Sequence, residues 1–497
     1  MNPGLPKMPS EANSLVSHFF AYARNHPDHS AFISGEISFT YGAAAERTAA
    51  ITQGLSKRGI SPGDRVALSA ENQIDLALSY FAIHAIGAVA VMIDAKTPDN
   101  EKLMLVADCQ ARLLVAAKND GEFDTPIATF DELTSEAARD LPEIRATPDS
   151  LSDLLYTTGT TGRPKGVLLS HANILSGARH INAVIQPGPD DTELVPIPLS
   201  HSFGLGRLRC MALTGNTLII EPNLNNAAAI LMRLLALRAT GLALVPAGFE
   251  IMRRLTRDRI GEAAKTLRYI EIGSAPIHPD TKQWLMDLLP DTHIYHHYGM
   301  TEATRSVFTE YHRDKDKPGS VGLPSPGIKV KILDDDGRSA PLGTPGEIVV
   351  SGGMVMQGYW DQPELTKNSM GSEGFHSGDI GYLDSDGYLY LAGRKSDIIN
   401  IGGYKVDPDG VESHLNQCPG ITESMCVGVP DPDGITGEAV LAYIVSEKEI
   451  SSKMIINSLR GKLEEYKIPK SFQSIDKIPK SSSGKIKRQV LSGGTKI

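Results

Sequence analysis

Residues 65–117 read RVALSAENQIDLALSYFAIHAIGAVAVMIDAKTPDNEKLMLVADCQARLLVAA, and this stretch decides the fold. Short β-type runs, VALSA, AVAVMI and RLLVAA, alternate in it with longer helical stretches. Strands that alternate with helices form βαβ units, whose parallel sheet is covered by the helices. The same rhythm returns in TLIIEP, NNAAAILMRLLALRAT, GLALVPA and LRYIEIGSAP. The sequence therefore predicts a large layered α/β body.

The pattern changes after Gly322. There KVKILDDDG, GEIVVSGGMVMQGYW and GYLYLAG read as short strands punctuated by turn dipeptides such as Asp336-Gly337. We expect a β-rich subdomain here, followed by a compact mixed region with a helix over SSKMIINSLRGKLEEYK. A boundary near Arg394 divides the chain into an N-terminal domain, residues 1–394, and a C-terminal domain, residues 395–497.

The composition is that of a soluble globular protein with more than one domain. A chain of 497 residues, 41% of them hydrophobic and 22% charged, is too long for one ordinary hydrophobic core. The formal net charge of −10 disfavours nucleic acid as a partner. The four cysteines are scattered without a CxxC pair, which favours structural thiols in a reducing compartment.

The N-terminal residues MNPGLPKMPSEANS lack a basic segment followed by an apolar core, so we expect no signal peptide. The sequence also has no apolar run long enough to span a bilayer. These features predict a cytoplasmic protein without a membrane span.

A glycine- and threonine-rich stretch, LYTTGTTGRPKGVLLSH, covers residues 155–171. Its glycines let successive backbone N–H groups turn toward an anion, its threonines add hydroxyl donors, and Lys165 adds a positive charge. A Walker A loop is disfavoured, because Gly166 stands where Ser or Thr would follow the lysine. A flexible surface turn is the alternative, for which threonine is a poor choice. We interpret the stretch as a loop that binds a triphosphate.

Three further segments carry groups that suit a nucleotide. Glu302, in YGMTE, can hold Mg²⁺ and Tyr298 can lie against a flat heterocycle, although a plain strand-to-helix junction also explains these residues. Asp379 and Arg394 can clamp sugar hydroxyls, or can form an ion pair at a hairpin edge. Lys485, in PKSSSGKIKR, is either a mobile cation in a turn or part of a solvated basic tail. Together with the loop, these segments fit one nucleotide.

Taken in order, these motifs resemble those of the adenylate-forming enzymes, a superfamily of acyl-CoA synthetases, aryl-CoA ligases, firefly luciferase and the adenylation domains of nonribosomal peptide synthetases. The resemblance runs through YTTGTTGRPKG, PLSHSFG, IGSAPI, YGMTE, SGD, GRKSDIINIGGYKV and PKSSSGKIKR. It implies a large multi-subdomain N-terminal domain with layered α/β sheets and a β-rich subdomain, a small mobile α+β C-terminal lid, and ATP bound between the two.

The resemblance also implies a role for each residue of the ATP site. The β- and γ-phosphates would be held by Thr157, Thr158, Gly159, Thr160, Thr161, Gly162 and Lys165. The adenine would be framed by Gly273, Ser274, Ala275 and Tyr298, and Gly299 would also belong to the nucleotide site. Thr301 would touch the α-phosphate, and Glu302 would hold Mg²⁺. Asp379 and Arg394 would bind the ribose hydroxyls, and Lys485 would reach both the substrate carboxylate and the α-phosphate.

The first product implied by the resemblance is an acyl-AMP, formed with release of pyrophosphate. The lid would then rotate, and Gly402, Gly403 and Tyr404 would form a narrow tunnel for a phosphopantetheine arm. Ser396 stands at the hinge position, where the family usually has Asp or Lys.

Four residues are candidates for the pocket that binds the acid: Ser202, Phe203, Phe249 and Met300. Amino-acid-activating domains usually carry an aspartate at the position of Ser202, so an α-amino acid is disfavoured as substrate. The apolar members suit an aromatic, alicyclic or medium aliphatic acid. We expect His201 to shape the pocket beside the substrate carboxylate, with a packed histidine as the alternative. For Arg305 a structural ion pair is favoured over a ligand contact.

Coenzyme A is the first choice of acceptor, while an amine or amino acid, or a separate carrier protein, stays open. Because the chain ends shortly after Lys485, we expect the acceptor to be diffusible. We expect a monomer or a homodimer. A luciferase-type oxygenase and a non-catalytic acyl or nucleotide sensor are the other classes considered. The sensor is disfavoured, since Lys165, Glu302, Asp379, Arg394 and Lys485 are all present.

Overall fold

The structure is a computed structural model. It describes residues 13–71, 73–118, 123–135, 142–157, 165–221, 227–395, 397, 399–401, 404–432, 438–448, 450–460, 462–463, 465–480 and 486–492. The chain divides into two compact units. The first contains Met1–Pro318, Pro324–Lys329 and Val350–Phe375, and the second contains Gly319–Leu323, Val330–Val349 and His376–Ile497. This grouping does not test the boundary between residues 394 and 395, which stays a prediction.

The strands of the described residues begin and end as follows. The earlier ones are β1 (Ser30–Ser34), β2 (Ile37–Thr40), β3 (Arg65–Ser69), β4 (Val89–Met92), β5 (Leu113–Ala116), β6 (Ile127–Thr129), β7 (Leu151–Thr157), β8 (Lys165–Ser170), β9 (Thr192–Val195), β10 (Thr217–Ile220), β11 (Gly241–Leu244), β12 (Tyr269–Ile272), β13 (His293–Met300) and β14 (Ala303–Glu310). The later ones are β15 (Ser320–Pro324), β16 (Lys329–Leu333), β17 (Gly346–Ser351), β18 (Gly358–Tyr359), β19 (Met370–Gly371), β20 (Gly374–Leu383), β21 (Leu389–Arg394), β22 (Ile399–Ile401), β23 (Tyr404–Val406), β24 (Ile421–Pro430), β25 (Glu438–Ser446) and β26 (Ser471–Ser474).

The helices follow the predicted alternation with the strands. They are α1 (Leu15–Asn25), α2 (Tyr41–Lys57), α3 (Gln73–Ile86), α4 (Asp99–Asp108), α5 (Phe130–Leu133), α6 (His171–Ile185), α7 (Ser202–Thr214), α8 (Ala227–Ala236), α9 (Pro246–Thr256), α10 (Pro279–Leu288), α11 (Pro363–Ser369), α12 (Pro408–Leu415), α13 (Ser452–Leu459) and α14 (Gln489–Ser492). Short 3₁₀ helices cover Arg257–Ala263 and Glu465–Lys467. Among the helices that fall within the described ranges, none is both long and apolar enough to cross a lipid bilayer.

One sheet of the first unit contains the three strands of residues 65–117, β3, β4 and β5. Its strand order is β18-β8-β7-β4-β3-β5-β6. Strand β3 is parallel to both β4 and β5, and β4 is parallel to β7. The βαβ units predicted over residues 65–117 are therefore confirmed. At the edge, β8 runs antiparallel to β7 and to β18.

A second sheet of the first unit has the order β14-β13-β12-β11-β9-β10-β1-β2. Its strands from β13 to β1 are parallel to their neighbours, whereas β14 and β2 are antiparallel. Every residue of β10, β11 and β12 is buried, which is the burial that a parallel sheet with helices on both faces requires. Helices α8, α9 and α10 pack their apolar residues into the core beside these strands.

The second unit is β-rich, as predicted. It contains a run of strands in the order β16-β17-β20-β21-β15, the β22–β23 pair, and the sheet β24-β25-β26. Helices α12 and α13 contribute to the core of the C-terminal part. The helix predicted over residues 451–467 is too long, because α13 ends at Leu459 and the backbone of Arg460 is extended. Gly461 follows in the sequence, and glycine is a poor helix former.

The four cysteines of the chain are free and buried. Burial raises the pKa of both Cys109 and Cys210 to about 11. The prediction of structural thiols agrees with this placement, because a buried and protonated thiol is unreactive.

A cluster of buried charges lies between α7 and the second sheet of the first unit. Arg207 donates to both carboxylate oxygens of Glu193, at 2.6 and 2.8 Å, and lies 3.2 Å from Glu271. Arg305 donates to Glu271 at 2.5 Å, which agrees with the structural ion pair predicted for it. Burial raises the pKa of the Glu271 carboxyl, but Arg305 and Arg207 outweigh burial and hold that pKa far below its usual range. A Cβ on Gly206 would lie 2.2 Å from the Arg305 guanidinium, so only glycine admits this approach.

Arg207→Leu should destabilise the first unit strongly. The substitution leaves Glu193 as a buried charge that has lost its bidentate partner. Removal of one member of a buried ion pair typically costs about 3–5 kcal/mol. Urea unfolding followed by circular dichroism should show a transition at clearly lower urea.

Arg259→Leu is the matched control, because Arg259 pairs with Glu262 while both side chains are half exposed. It should leave the urea midpoint unchanged within error, since exposed ion pairs contribute little. Equal midpoints for the two variants would contradict the importance of the buried cluster.

Candidate nucleotide and acid site

The two ends of the predicted phosphate loop lie side by side in the first unit. Strands β7 and β8 pair so that Thr157 and Lys165 are opposite each other. The Thr157 hydroxyl donates a long hydrogen bond of 3.5 Å to the Lys165 carbonyl. Both residues are partly exposed, so their side chains are accessible to a ligand. The remaining predicted loop residues, Thr158, Gly159, Thr160, Thr161 and Gly162, lie outside the described residues.

Glu302 lies in the two-residue connection between β13 and β14. Met300 and Ala303 are opposite each other across this connection, so Thr301 and Glu302 form the tip of a β-hairpin. The strand-to-helix junction considered for these residues is therefore wrong. Gly299, Thr301 and Glu302 are all partly exposed at this tip.

Tyr359, a residue that the sequence analysis did not select, joins the two regions. Its hydroxyl donates a hydrogen bond to Glu302 Oε1 at 3.0 Å. Lys165 Nζ lies 5.7 Å from the centre of the same ring, within the range of a cation–π interaction. A cation and a carboxylate thus meet on one aromatic side chain. A nucleotide with Mg²⁺ requires both charges, the cation for phosphate oxygens and the carboxylate for the metal.

The segment predicted to frame the adenine, Gly273–Ala275, follows the carboxyl end of β12. The Nε2–H group of His296 on β13 donates to the Ala275 carbonyl at 3.0 Å, which holds the segment against that strand. A Cβ on Gly273 would lie 2.0 Å from the His297 ring, so glycine is required here. Tyr298 lies in β13 and is partly exposed. The structure therefore brings this segment and β13 together, as the motif order implies.

His201 precedes the first residue of α7 and pairs with Asp94, which follows β4. His201 Nε2 lies 3.1 Å from Asp94 Oδ2, and the Ser200 hydroxyl donates to the same oxygen at 3.1 Å. The hydrogen bond from His201, helped by those from Lys96 and Ser200, lowers the pKa of Asp94 to about 2 against the effect of burial. The His201 side chain is 43% exposed. This exposure disfavours a packed histidine and leaves the ring accessible to a ligand.

The predicted pocket residues are placed differently from one another. Ser202 and Met300 are partly exposed. Phe203 is buried, and its ring packs edge-on against His297 with 4.9 Å between ring centres. Phe249 has no exposed surface and lies in the hydrophobic core with the residues of α8 and β11. Because a fully buried side chain cannot contact a ligand, the structure corrects the prediction that Phe249 lines the acid pocket.

Asp379 and Arg394 come together in the second unit. They are opposite each other in the β20–β21 pair, and Arg394 Nε donates to Asp379 Oδ1 at 2.9 Å. The Asp379 side chain is mostly buried, while that of Arg394 is 48% exposed. The contact is the hairpin-edge ion pair that the sequence allowed, and the ribose contact stays a prediction.

Several predicted residues of the C-terminal domain fall outside the described residues: Ser396, Gly402, Gly403 and Lys485. Tyr404 is the first residue of β23, and its partner in β22 is Ile401. Lys480 and Ile486, on either side of residues 481–485, form an antiparallel bridge.

The residues around Glu302 fit the magnesium ion that accompanies ATP. Within the described ranges, no group of three or more His, Cys, Asp and Glu side chains is arranged to hold a metal by itself. Mg²⁺ in nucleotide sites usually binds one or two carboxylates and takes its other ligands from phosphates and water. Glu302, whose Oε1 receives the Tyr359 hydroxyl, supplies a carboxylate of this kind.

Comparison with known proteins agrees with a nucleotide site in this chain. Residues 19–360 match the family model described as AMP-binding enzyme, and residues 410–485 match that of the AMP-binding enzyme C-terminal domain. A feruloyl-CoA synthase of Amycolatopsis sp is 32% identical over 474 residues, which cover 93% of this chain and 95% of that protein.

Solved structures show the same fold. ATP-bound MatB from Rhodopseudomonas palustris superposes with a TM-score of 0.90 at 28% identity, covering 97% of this chain and 98% of that one. The o-succinylbenzoate coenzyme A synthetase MenE from Bacillus subtilis, in complex with ATP and magnesium ion, has a TM-score of 0.87 at 26% identity. That match covers 96% of this chain and 99% of MenE. The chain therefore belongs to the family of AMP-binding enzymes, as the order of its motifs predicts.

Proposed function

We propose that this enzyme is an ATP-dependent ligase that activates a carboxylic acid as an acyl adenylate and transfers the acyl group to coenzyme A. The observation that carries the proposal is the meeting of Lys165 and Glu302 on Tyr359. The two charged residues belong to motifs that lie far apart in the sequence, and the fold brings both to one side chain.

In the first step a carboxylate oxygen of the acid attacks the α-phosphorus of ATP. The bond from that phosphorus to the bridging oxygen of the β-phosphate breaks, and pyrophosphate leaves. The barrier is largely electrostatic, because one anion approaches another, and cations around the phosphates lower it.

The residues of the first unit have different roles in this step. Lys165 and Thr157 supply a cation and a hydroxyl to the pyrophosphate that leaves. Glu302 holds Mg²⁺, which neutralises charge on the phosphates, and Thr301 contacts the α-phosphate. Gly273–Ala275 and Tyr298 form the adenine side. In the second unit we assign Asp379 and Arg394 to the ribose, and Lys485 to the α-phosphate and the acid.

In the second step the thiol of coenzyme A gives up its proton and attacks the acyl carbonyl. The bond between the carbonyl carbon and the phosphate oxygen of AMP breaks, and AMP leaves. Support for coenzyme A comes from a feruloyl-CoA synthase and an o-succinylbenzoate coenzyme A synthetase, both of which align with nearly the whole chain.

The acid is expected to lack an α-ammonium group. Ser202 offers a hydroxyl where a carboxylate would be needed to pair with such a cation. Met300, which is partly exposed, adds apolar surface near the end of β13. An aromatic, alicyclic or medium aliphatic carboxylic acid fits these residues.

The first measurement is pyrophosphate release from ATP and Mg²⁺ with a panel of acids. The panel includes ferulate, cyclohexanecarboxylate and hexanoate, and the matched pair 3-phenylpropanoate and phenylalanine, which differ by the α-ammonium group. We expect release with one class of acid, faster turnover when coenzyme A is added, and less release with phenylalanine than with 3-phenylpropanoate. Acceleration by an amine instead of coenzyme A would contradict the proposed acceptor, and preference for phenylalanine would contradict the reading of Ser202.

Lys485→Ala should slow adenylation by about 10²- to 10³-fold, the loss typical when a group that stabilises the transition state is removed. Transfer to coenzyme A from a supplied acyl-AMP should be affected much less. Lys477→Ala, at an exposed lysine upstream, is the control and should change neither step. Equal loss of both steps in Lys485→Ala would count against the role assigned to Lys485.

Asp94→Asn should weaken productive binding of the acid. The ionised Asp94 holds the His201 ring in one orientation, and the amide would replace a charged acceptor by a neutral one. We expect kcat/KM for the acid to fall about tenfold, by analogy with the lower end of the loss seen when the hydrogen-bond partner of a metal-bound histidine is removed, with KM for ATP unchanged. Asp99→Asn, at a side chain that is 88% exposed, is the control. Identical kinetics for the two variants would show that Asp94 does not position His201.

A further inference from the structure

The segment Val355–Trp360 connects two parts of the site through its backbone. At its beginning, Val355 bridges Ala303, and the N–H group of Met356 donates to the carbonyl of Glu302 at 2.9 Å. These contacts fix the backbone at the tip of the β13–β14 hairpin. They do not restrain the side chain of Glu302, which is long and has several rotatable bonds.

The other end of the same segment is bonded to β8. The N–H group of Gln357 donates to the Leu168 carbonyl at 2.8 Å, and that of Trp360 donates to the Gly166 carbonyl at 2.7 Å. Gly166 directly follows Lys165, so the segment reaches the base of the phosphate loop. Val355–Trp360 therefore ties the hairpin tip to that loop by main-chain hydrogen bonds at both ends.

Tyr359 makes the same connection with its side chain. It lies in β18, opposite Val167 of β8, and is only 7% exposed. Its hydroxyl reaches Glu302 Oε1 at 3.0 Å, and its ring lies beside the Lys165 ammonium group. A buried ring has little freedom, so the hydroxyl stays at one place relative to both charged groups.

We propose that Tyr359 is a positioning residue that holds the Glu302 carboxylate in the orientation in which it binds the Mg²⁺ of MgATP. This inference rests on the proposed function, in which Glu302 is the magnesium ligand.

The chemistry of the two groups supports the assignment. A phenol donates one hydrogen bond, and a carboxylate accepts through two oxygens with about four lone pairs. The donor on Oε1 therefore restrains the side chain while acceptor capacity remains for a cation. Immobilising a glutamate side chain costs conformational entropy, because its rotatable bonds lose freedom. In this enzyme the hydrogen bond from Tyr359 orders the Glu302 side chain before the metal binds, so less entropy is lost on metal binding.

Tyr359→Phe isolates the hydroxyl, because it keeps the ring that packs in the first unit and lies beside Lys165. The measurement is the dissociation constant of ATP by isothermal titration calorimetry at a series of free Mg²⁺ concentrations, without any acid. We expect the Mg²⁺ concentration that gives half of the maximal gain in ATP affinity to rise about tenfold in this variant, the lower end of the loss caused by removing a group that orients a metal ligand. At saturating Mg²⁺ the ATP affinity should approach that of the wild type.

Tyr41→Phe is the matched control. The Tyr41 hydroxyl is buried and donates to the Asn216 carbonyl at 2.9 Å, so its removal deletes a comparable hydrogen bond in the same unit away from these motifs. Its Mg²⁺ dependence should equal that of the wild type. Thermal unfolding of all three proteins separates a loss of stability from a loss of metal affinity.

The outcomes separate this inference from the proposed function. ATP binding by the wild type with an unchanged Mg²⁺ midpoint in Tyr359→Phe overturns the role of Tyr359 and leaves the ligase proposal intact. ATP binding without pyrophosphate release for any acid overturns the ligase proposal, while the Mg²⁺ midpoint still decides the role of the tyrosine. A wild type that binds no ATP at any Mg²⁺ concentration overturns both.

Discussion

The charge of Glu271 must be neutralised within the protein, because the residue is buried in the middle of a parallel sheet. Arg207 and Arg305 neutralise it from α7 and β14, and Glu193 on β9 shares Arg207. Buried charges are tolerated only when they are paired and hydrogen-bonded. This requirement fixes a helix and three strands to one another, and the rest of the first unit's site depends on that arrangement.

Three members of the charge cluster lie a few residues from a segment of the site. Glu271 precedes Gly273–Ala275 in the sequence, Arg305 follows Glu302, and Arg207 is in the helix that begins after His201. The ion pairs thus fix the backbone next to three motifs of the site. In open α/β sheets ligands bind beyond the carboxyl ends of the parallel strands. The segments after β12 and β4 are at such ends, which explains why Ala275 and Asp94 are available for contacts near a ligand.

Much of this could be predicted from the sequence. The alternation of apolar runs with helical stretches gave the parallel strands, because buried strands need continuous apolar residues and crossover helices. The ordered motifs identified the family and the groups for phosphate and metal. Tyr359 and Asp94 were missed because their roles come from contacts between distant segments, 57 residues apart for Tyr359 and Glu302. The hairpin at Thr301 was not predicted either. Residues 303–310 form a strand through their antiparallel pairing with β13, and this pairing was not recognised in the sequence. For Phe249 the sequence predicted a role that the fold does not allow. It was assigned to the acid pocket as an apolar residue, but helix α9 buries it in the core.

The burial of the four cysteines has a consequence for an enzyme whose proposed product is a thioester. An exposed thiolate is a nucleophile that would attack the thioester carbonyl, take over the acyl group and release free coenzyme A. Cys109 and Cys210 have thiol pKa values of about 11, and Cys418 and Cys426 are likewise buried and free. The only thiol that meets the activated acyl group is then the one that arrives as substrate, so the fold protects the product from being captured by the enzyme that makes it.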